Sequence, residues 1–197
     1  MSEGITKIRL EQEELLAALT ELEERKKTNR ISFEYPETGK LNRHMYPKHM
    51  EFMAATKDHQ ECIMLAGNRC GKTFAGSRMI SWHATGQYPD WFEGRRFNKP
   101  VSIWVAGKTG QSTRDIVQKE LMGERTEIGS GAIPKNCIVD FKSKPGIPDG
   151  VDVITIKHVS GGNSVITFKT YEAGVSSFVG VALDVVWLDE LPESPSI

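Results

Sequence analysis

Ala66-Gly67-Asn68-Arg69-Cys70-Gly71-Lys72-Thr73 is a small residue, four intervening positions and Gly-Lys-Thr, the spacing of a loop that wraps phosphate. Each position has a physical role. The glycines let the backbone curl, so that successive N–H groups converge on phosphate oxygens. A helix starting near Gly71 adds its positive N-terminal end. Lys72 supplies a point charge for β- and γ-phosphates, and Thr73 a hydroxyl for magnesium. ATP with Mg2+ is therefore the expected ligand of Gly67, Asn68, Arg69, Cys70, Gly71, Lys72 and Thr73. A second group, Asp189-Glu190, closes the apolar run Val185-Val186-Trp187-Leu188. At a strand's carboxyl end beside the loop, Asp189 is placed to hold magnesium through water. Glu190 is suited to orient and deprotonate a water attacking the γ-phosphate. The two motifs together imply hydrolysis, with Glu190, Arg69 and Lys72 as catalytic candidates. Arg69, a bulky cation inside the loop, has two readings: a finger stabilising charge on the γ-phosphate, or an exposed or structurally paired arginine.

Several elements must position these groups. Cys62-Ile63-Met64-Leu65-Ala66 reads as a buried strand leading into the loop, and Thr73 to Thr85 as the helix after it. Val101 to Ala106 reads as a second buried strand, and Ser112 to Met122 as a helix. Val151–Ile156 and Ser164–Phe168 look like a strand pair joined through Ser160-Gly161-Gly162. The alternation predicts an α/β fold with a mainly parallel sheet sandwiched by helices. The expected class is the P-loop NTPase with an additional strand and a catalytic glutamate. Upstream, Ile5 to about Lys27 reads as one amphipathic helix, with Ile8, Leu15 and Leu22 seven apart and Leu19 beside them. The heptad breaks at Gln12, so the stripe is expected to pack on its own domain rather than in a long coiled coil. Asn29 to Lys48 reads as an irregular connection, and Tyr46 to Thr56 as a short helix carrying Met50, Phe52 and Met53. Residues 1–45 thus form an N-terminal extension and 46–197 a P-loop ATPase domain.

The composition fits this reading. The 197 residues are 39% hydrophobic and 26% charged, enough for a core. Lys and Arg number 25 against 26 acidic residues, so the basic excess of a protein living on phosphate contacts is absent. Cys62, Cys70 and Cys137 are too few and scattered for a disulfide scaffold or zinc site, and read as free thiols in a reducing cytoplasm. No signal peptide and no bilayer-spanning apolar run is read. Arg95, Arg96 and Lys99, beside Trp91 and Phe92, read as a solvated loop. His59, His83 and His158 lack ligand spacing.

An Arg inside the phosphate loop, Trp187-Leu188-Asp189-Glu190 at a strand end and Tyr46-Pro47 upstream together resemble the large terminase subunit of tailed bacteriophages. Gly174-Val175-Ser176-Ser177-Phe178-Val179-Gly180, leading into Leu183-Asp184-Val185, is similar to the family's stretch before its Walker B strand. The resemblance runs from about Tyr46 to Glu190. It implies a motor that assembles as a homo-oligomeric ring on the portal protein and works with a small terminase subunit. That motor would drive double-stranded DNA into the procapsid by ATP hydrolysis, in the cytoplasm of an infected host cell, with no membrane partner. It also implies adenine recognition around Tyr46 and His49, where many relatives carry a Gln in place of His49. The family's coupling motif and nuclease domain are expected in a longer protein of which this is the N-terminal part, and nuclease activity is not assigned to 1–197. Alternatives are a helicase-like or other DNA-dependent P-loop ATPase, or a nucleotide-dependent assembly module.

Overall fold

The computed structural model describes residues 2–28, 30–39 and 42–190. Helix α1 spans Ser2–Thr28, and Pro at the first turn opens α2, Pro47–Ala55. Helix α3, Lys72–Thr85, lies between two left-handed glycines, Gly71 (φ 83°) and Gly86 (φ 72°). Strand β1 covers Ser102–Gly107. Helix α4 starts at Gly110–Ser112, behind a capping box in which the Thr109 hydroxyl accepts from Ser112 N–H. It passes through a π-helical stretch, Thr113–Gln118, and ends at Lys119–Met122. Strands β2 (Ile138–Ser143), β3 (Val151–Lys157), β4 (Asn163–Thr170) and β5 (Val185–Leu188) complete the sheet.

Strand order is β2-β3-β4-β1-β5. Strand β1 runs parallel to both β4 and β5, whereas β2–β3 and β3–β4 are antiparallel. The fold is α/β as expected, but the sheet is mixed rather than mainly parallel. The tight turn between β3 and β4 is the cause: His158 N–H donates to Gly162 O at 3.1 Å, with Gly161 and Gly162 at positive φ. A connection that short returns the chain antiparallel, because a parallel neighbour needs a long crossover.

Alternation along β1 separates two faces. Ile103 and Val105 join Ile154, Ile156, Ile166 and Phe168 in one core, covered by Ile80 and Ala84 of α3 and Val117 and Leu121 of α4. Trp104 points the other way and packs edge-on against Phe178, which lies in a short turn. Among the described residues, α3 and α4 cover the face of the sheet that carries this core. Helix α3 is buried nearly all round, since Ala75, Met79 and Trp82 on its far side join a second core with Ile31, Tyr35, Met53 and Phe92. Ile31 and Tyr35 thus make the 30–36 stretch a structural wall, beyond the plain connection expected of it.

Two further expectations are corrected. Cys62–Ala66 joins no ladder, and Ile63 (66%) and Leu65 (77%) are exposed. A strand needs a partner's backbone; among the described residues β5 ends the sheet, bonded to β1 alone. The α1 stripe does not pack on the domain either: Ile8, Leu15, Leu19 and Leu22 are all exposed. No described helix is long and apolar enough to cross a membrane.

Candidate active site

The loop is organised around Lys72. As the first residue of α3, it folds its side chain back so that Nζ donates to the carbonyls of Ala66 (2.8 Å) and Gly67 (2.7 Å). Cys70 Sγ lies 2.7 Å from the same Gly67 carbonyl. Ala66 to Cys70 are exposed, with Asn68 and Arg69 in the turn. Arg69 sits at φ 62° and forms no ion pair or hydrogen bond among the described residues. Non-glycine residues uncommonly adopt this left-handed backbone conformation.

The acidic strand end reaches this loop through β5. Hydrogen bonding carries past the strand: Asp189 N–H donates to Ala106 O at 2.8 Å. Thr73 Oγ1, in the first turn of α3, then donates to Asp189 Oδ1 at 3.2 Å. Two residues 116 apart in the chain therefore present a hydroxyl and a carboxylate to one point. Burial holds the Asp189 carboxyl above its ordinary range; the Thr73 hydroxyl pulls it back, Glu190 pushes it up and Lys72 lowers it. Glu190 is exposed at φ 66°, and its carbonyl accepts from Tyr171 Oη at 2.9 Å. Burial first, then Asp189 and Glu190, push the Tyr171 phenol up to about 12, so it stays a donor.

Helix and strand meet closely because Gly76 has no side chain. A Cβ there would lie 2.6 Å from Cε2 of Trp187, two residues before Asp189. The bare turn of α3 lets the indole lie flush against the helix.

His49 is buried at 5% exposure behind the loop. Its Nε2 lies 2.8 Å from Cys70 O, its Nδ1 lies 2.7 Å from Tyr35 Oη, and its ring stacks on Tyr46 at 5.2 Å. Both ring nitrogens are committed within the protein. Neither Tyr35 nor Tyr171 is visible as a site residue in the sequence, since each acts on a backbone or ring distant along the chain.

Other sequence candidates are drawn into structure. Arg96 donates to the carbonyls of Pro89, Asp90 and Phe92, and Lys99 pairs with Asp184 at 2.9 Å, so neither forms an open basic patch. His83 is buried against Tyr88. Two surface clefts, of about 420 and 470 Å3, are lined by Arg114, Lys119 and Asp149 and by Arg43, Met50 and Trp91, and contain no loop residue.

Hard oxygen donors meeting at a helix N-terminus suit a magnesium ion that takes few protein ligands and completes its shell with phosphate and water. Thr73 and Asp189 fit that requirement, and Lys72 fits a phosphate partner.

The chain is 34% identical over 203 residues to the terminase large subunit of Salmonella phage P22, covering 92% of this chain and 39% of that protein. It thus spans well under half the length of that relative. No significant match to a solved structure is found. Residues 63–196 match the family described as "Terminase large subunit, T4likevirus-type, N-terminal". With more than half of its length matched in this way, the chain belongs to the terminase large subunit family, in its N-terminal region.

Proposed function

We propose that this chain is the ATP-hydrolysing motor domain of a phage DNA-packaging terminase, driving double-stranded DNA into a procapsid. One observation carries the reading: Thr73 Oγ1 and Asp189 Oδ1 meet at 3.2 Å in the first turn of the helix that Lys72 opens. Gly67–Thr73 supply N–H donors and the positive end of α3 to the phosphates. Lys72, whose ammonium donates to the carbonyls of Ala66 and Gly67, would turn those donors to phosphate oxygens and gain a charge partner there. Thr73 and Asp189 hold Mg2+, which neutralises phosphate charge when bound. Glu190 takes the proton of the attacking water, and Arg69 stabilises the charge developing on the γ-phosphate. On this reading the portal protein, a small subunit and other copies in a ring are the partners, in the cytoplasm of the infected host cell.

Lys72→Ala tests the assignment. The variant should lose binding of a fluorescent ATP analogue with magnesium while its circular dichroism stays parental. Parental affinity in the variant would overturn the site. A nucleotide-dependent assembly module remains the second reading. It predicts binding without turnover in the full-length protein.

A further inference from the structure

His49 stands in a buried relay whose proton arrangement follows from its ends. Cys70 O can only accept, so the His49 Nε2 at 2.8 Å must carry the hydrogen. In a neutral ring Nδ1 is then the acceptor, and Tyr35 Oη at 2.7 Å is its donor. Tyr35 is itself 2% exposed, with its ring edge-on to Phe74 (5.5 Å), Trp91 (5.8 Å) and Tyr46 (6.0 Å). Its backbone sits at φ 51° beside Glu34, whose Oε1 is 2.6 Å from Arg78 Nε of α3. The relay is therefore anchored on the helix that begins at the loop.

What it grips is one peptide plane. In a trans peptide the carbonyl and the N–H point in opposite directions. Holding Cys70 O toward His49 turns the Gly71 N–H away from it. Gly71 leaves no room for slack, since at φ 83° a Cβ would lie 2.9 Å from His49 Cε1.

We propose that Tyr35 and His49 are positioning residues for phosphate binding, acting through the Cys70 carbonyl, and that His49 does not read the base. The proposal rests on the reading that Gly67–Thr73 bind nucleotide phosphates. A base reader would need a ring nitrogen free to face the nucleobase, and both are engaged inside the protein. The chemical consequence is specific. Loss of the relay weakens every ligand carrying the phosphate chain, whatever base it bears.

The test uses the full-length protein with magnesium and three ligands: ATP, GTP and inorganic tripolyphosphate. Each competes with a fluorescent ATP analogue. His49→Ala should weaken all three by about tenfold, leaving the ATP-to-GTP ratio at the parental value. Tyr35→Phe keeps the ring packing, removes the donor and should move all three in the same direction by less. His49→Gln restores an N–H close to the position of Nε2 and should recover most of the affinity. If His49→Ala fails to fold by circular dichroism, Tyr35→Phe and His49→Gln carry the test by the same ratio. Loss confined to ATP, with discrimination against GTP abolished, overturns the proposal in favour of base reading. Unchanged affinity for all three also overturns it. A parent protein that binds neither ATP nor tripolyphosphate, and is indistinguishable from Lys72→Ala, locates the failure in the reading of the loop itself.

Discussion

Among the catalytic candidates Glu190, Arg69 and Lys72, Glu190 and Arg69 sit at positive φ. Glu190 has its backbone tied by Tyr171, which fixes the main chain and leaves the carboxylate exposed. Glu190→Gln preserves shape and hydrogen bonding but cannot take a proton. On the proposed reading, the full-length variant should bind ATP at parental affinity and release no phosphate above background. Parental turnover would move the base elsewhere. Arg69 forms no pair with an acid among the described residues, so a structural role has no partner there. Arg69→Ala should leave melting and ATP affinity near parental while turnover falls by roughly three or more powers of ten. Arg69→Lys should rescue little, since an ammonium lacks the planar fork. Lost stability with retained specific activity would refute the finger.

Between α3 and β5, the decisive feature is an absent side chain. Gly76→Ala removes a helix glycine, a change worth about 1 kcal/mol of added stability at an open position. Here the new methyl meets Trp187 Cε2 at 2.6 Å, and a packed indole held by α3 and β1 has little room to move. Overpacking of that kind costs about 1–3 kcal/mol, so the clash should win and the melting temperature should fall. Because Trp187 is two residues from Asp189, the same variant should demand more magnesium for half-maximal ATP binding. A raised melting temperature would show that the contact between helix and strand is looser than it looks.

Taken whole, the molecule carries two buried groups that titrate in opposition. Burial raises Glu34 to about 7 against the pull of Arg78. Unfolded, this carboxyl ionises near its ordinary value of about 4.3, so in between the native state holds the extra proton and stability falls as pH rises. Burial, then the Arg95 charge, lowers His83 to about 4. Unfolded, the imidazole takes its proton first as pH falls below about 6.5, so stability falls as pH drops toward 4. Each contribution is of order 3 kcal/mol, and over most of the range between pH 4.5 and 6.5 they cancel. Urea midpoints should therefore separate them. Relative to the parent, Glu34→Gln should gain a slope rising with pH, and His83→Gln a slope falling with pH. Variants with the parent's slope would show that neither group is held away from its ordinary ionisation.

The loop, the start of α3, the acidic strand end and the β3–β4 turn could all be read from the chain, because each depends on a few adjacent residues whose backbone freedom and charge are set locally. Strand β2 could not. It lies at the sheet edge with Val139, Asp140, Lys142 and Ser143 exposed, and its polar residues break up the apolar pattern. Apolar character misled at Ile63, Leu65 and the α1 stripe, since it states a preference for burial without naming what would do the burying. Period-two alternation is likewise the same for parallel and antiparallel neighbours, so the mixed sheet was decided by the β3–β4 turn and its pairing. The contacts on which the proposed function turns, Thr73 with Asp189 and Tyr35 with His49 and Cys70, join residues between 14 and 116 positions apart. Those meetings arise only when packing closes α3 onto β5 and the 30–36 stretch onto α3. Local sequence determines which chemical groups are available; only the folded core determines which of them touch.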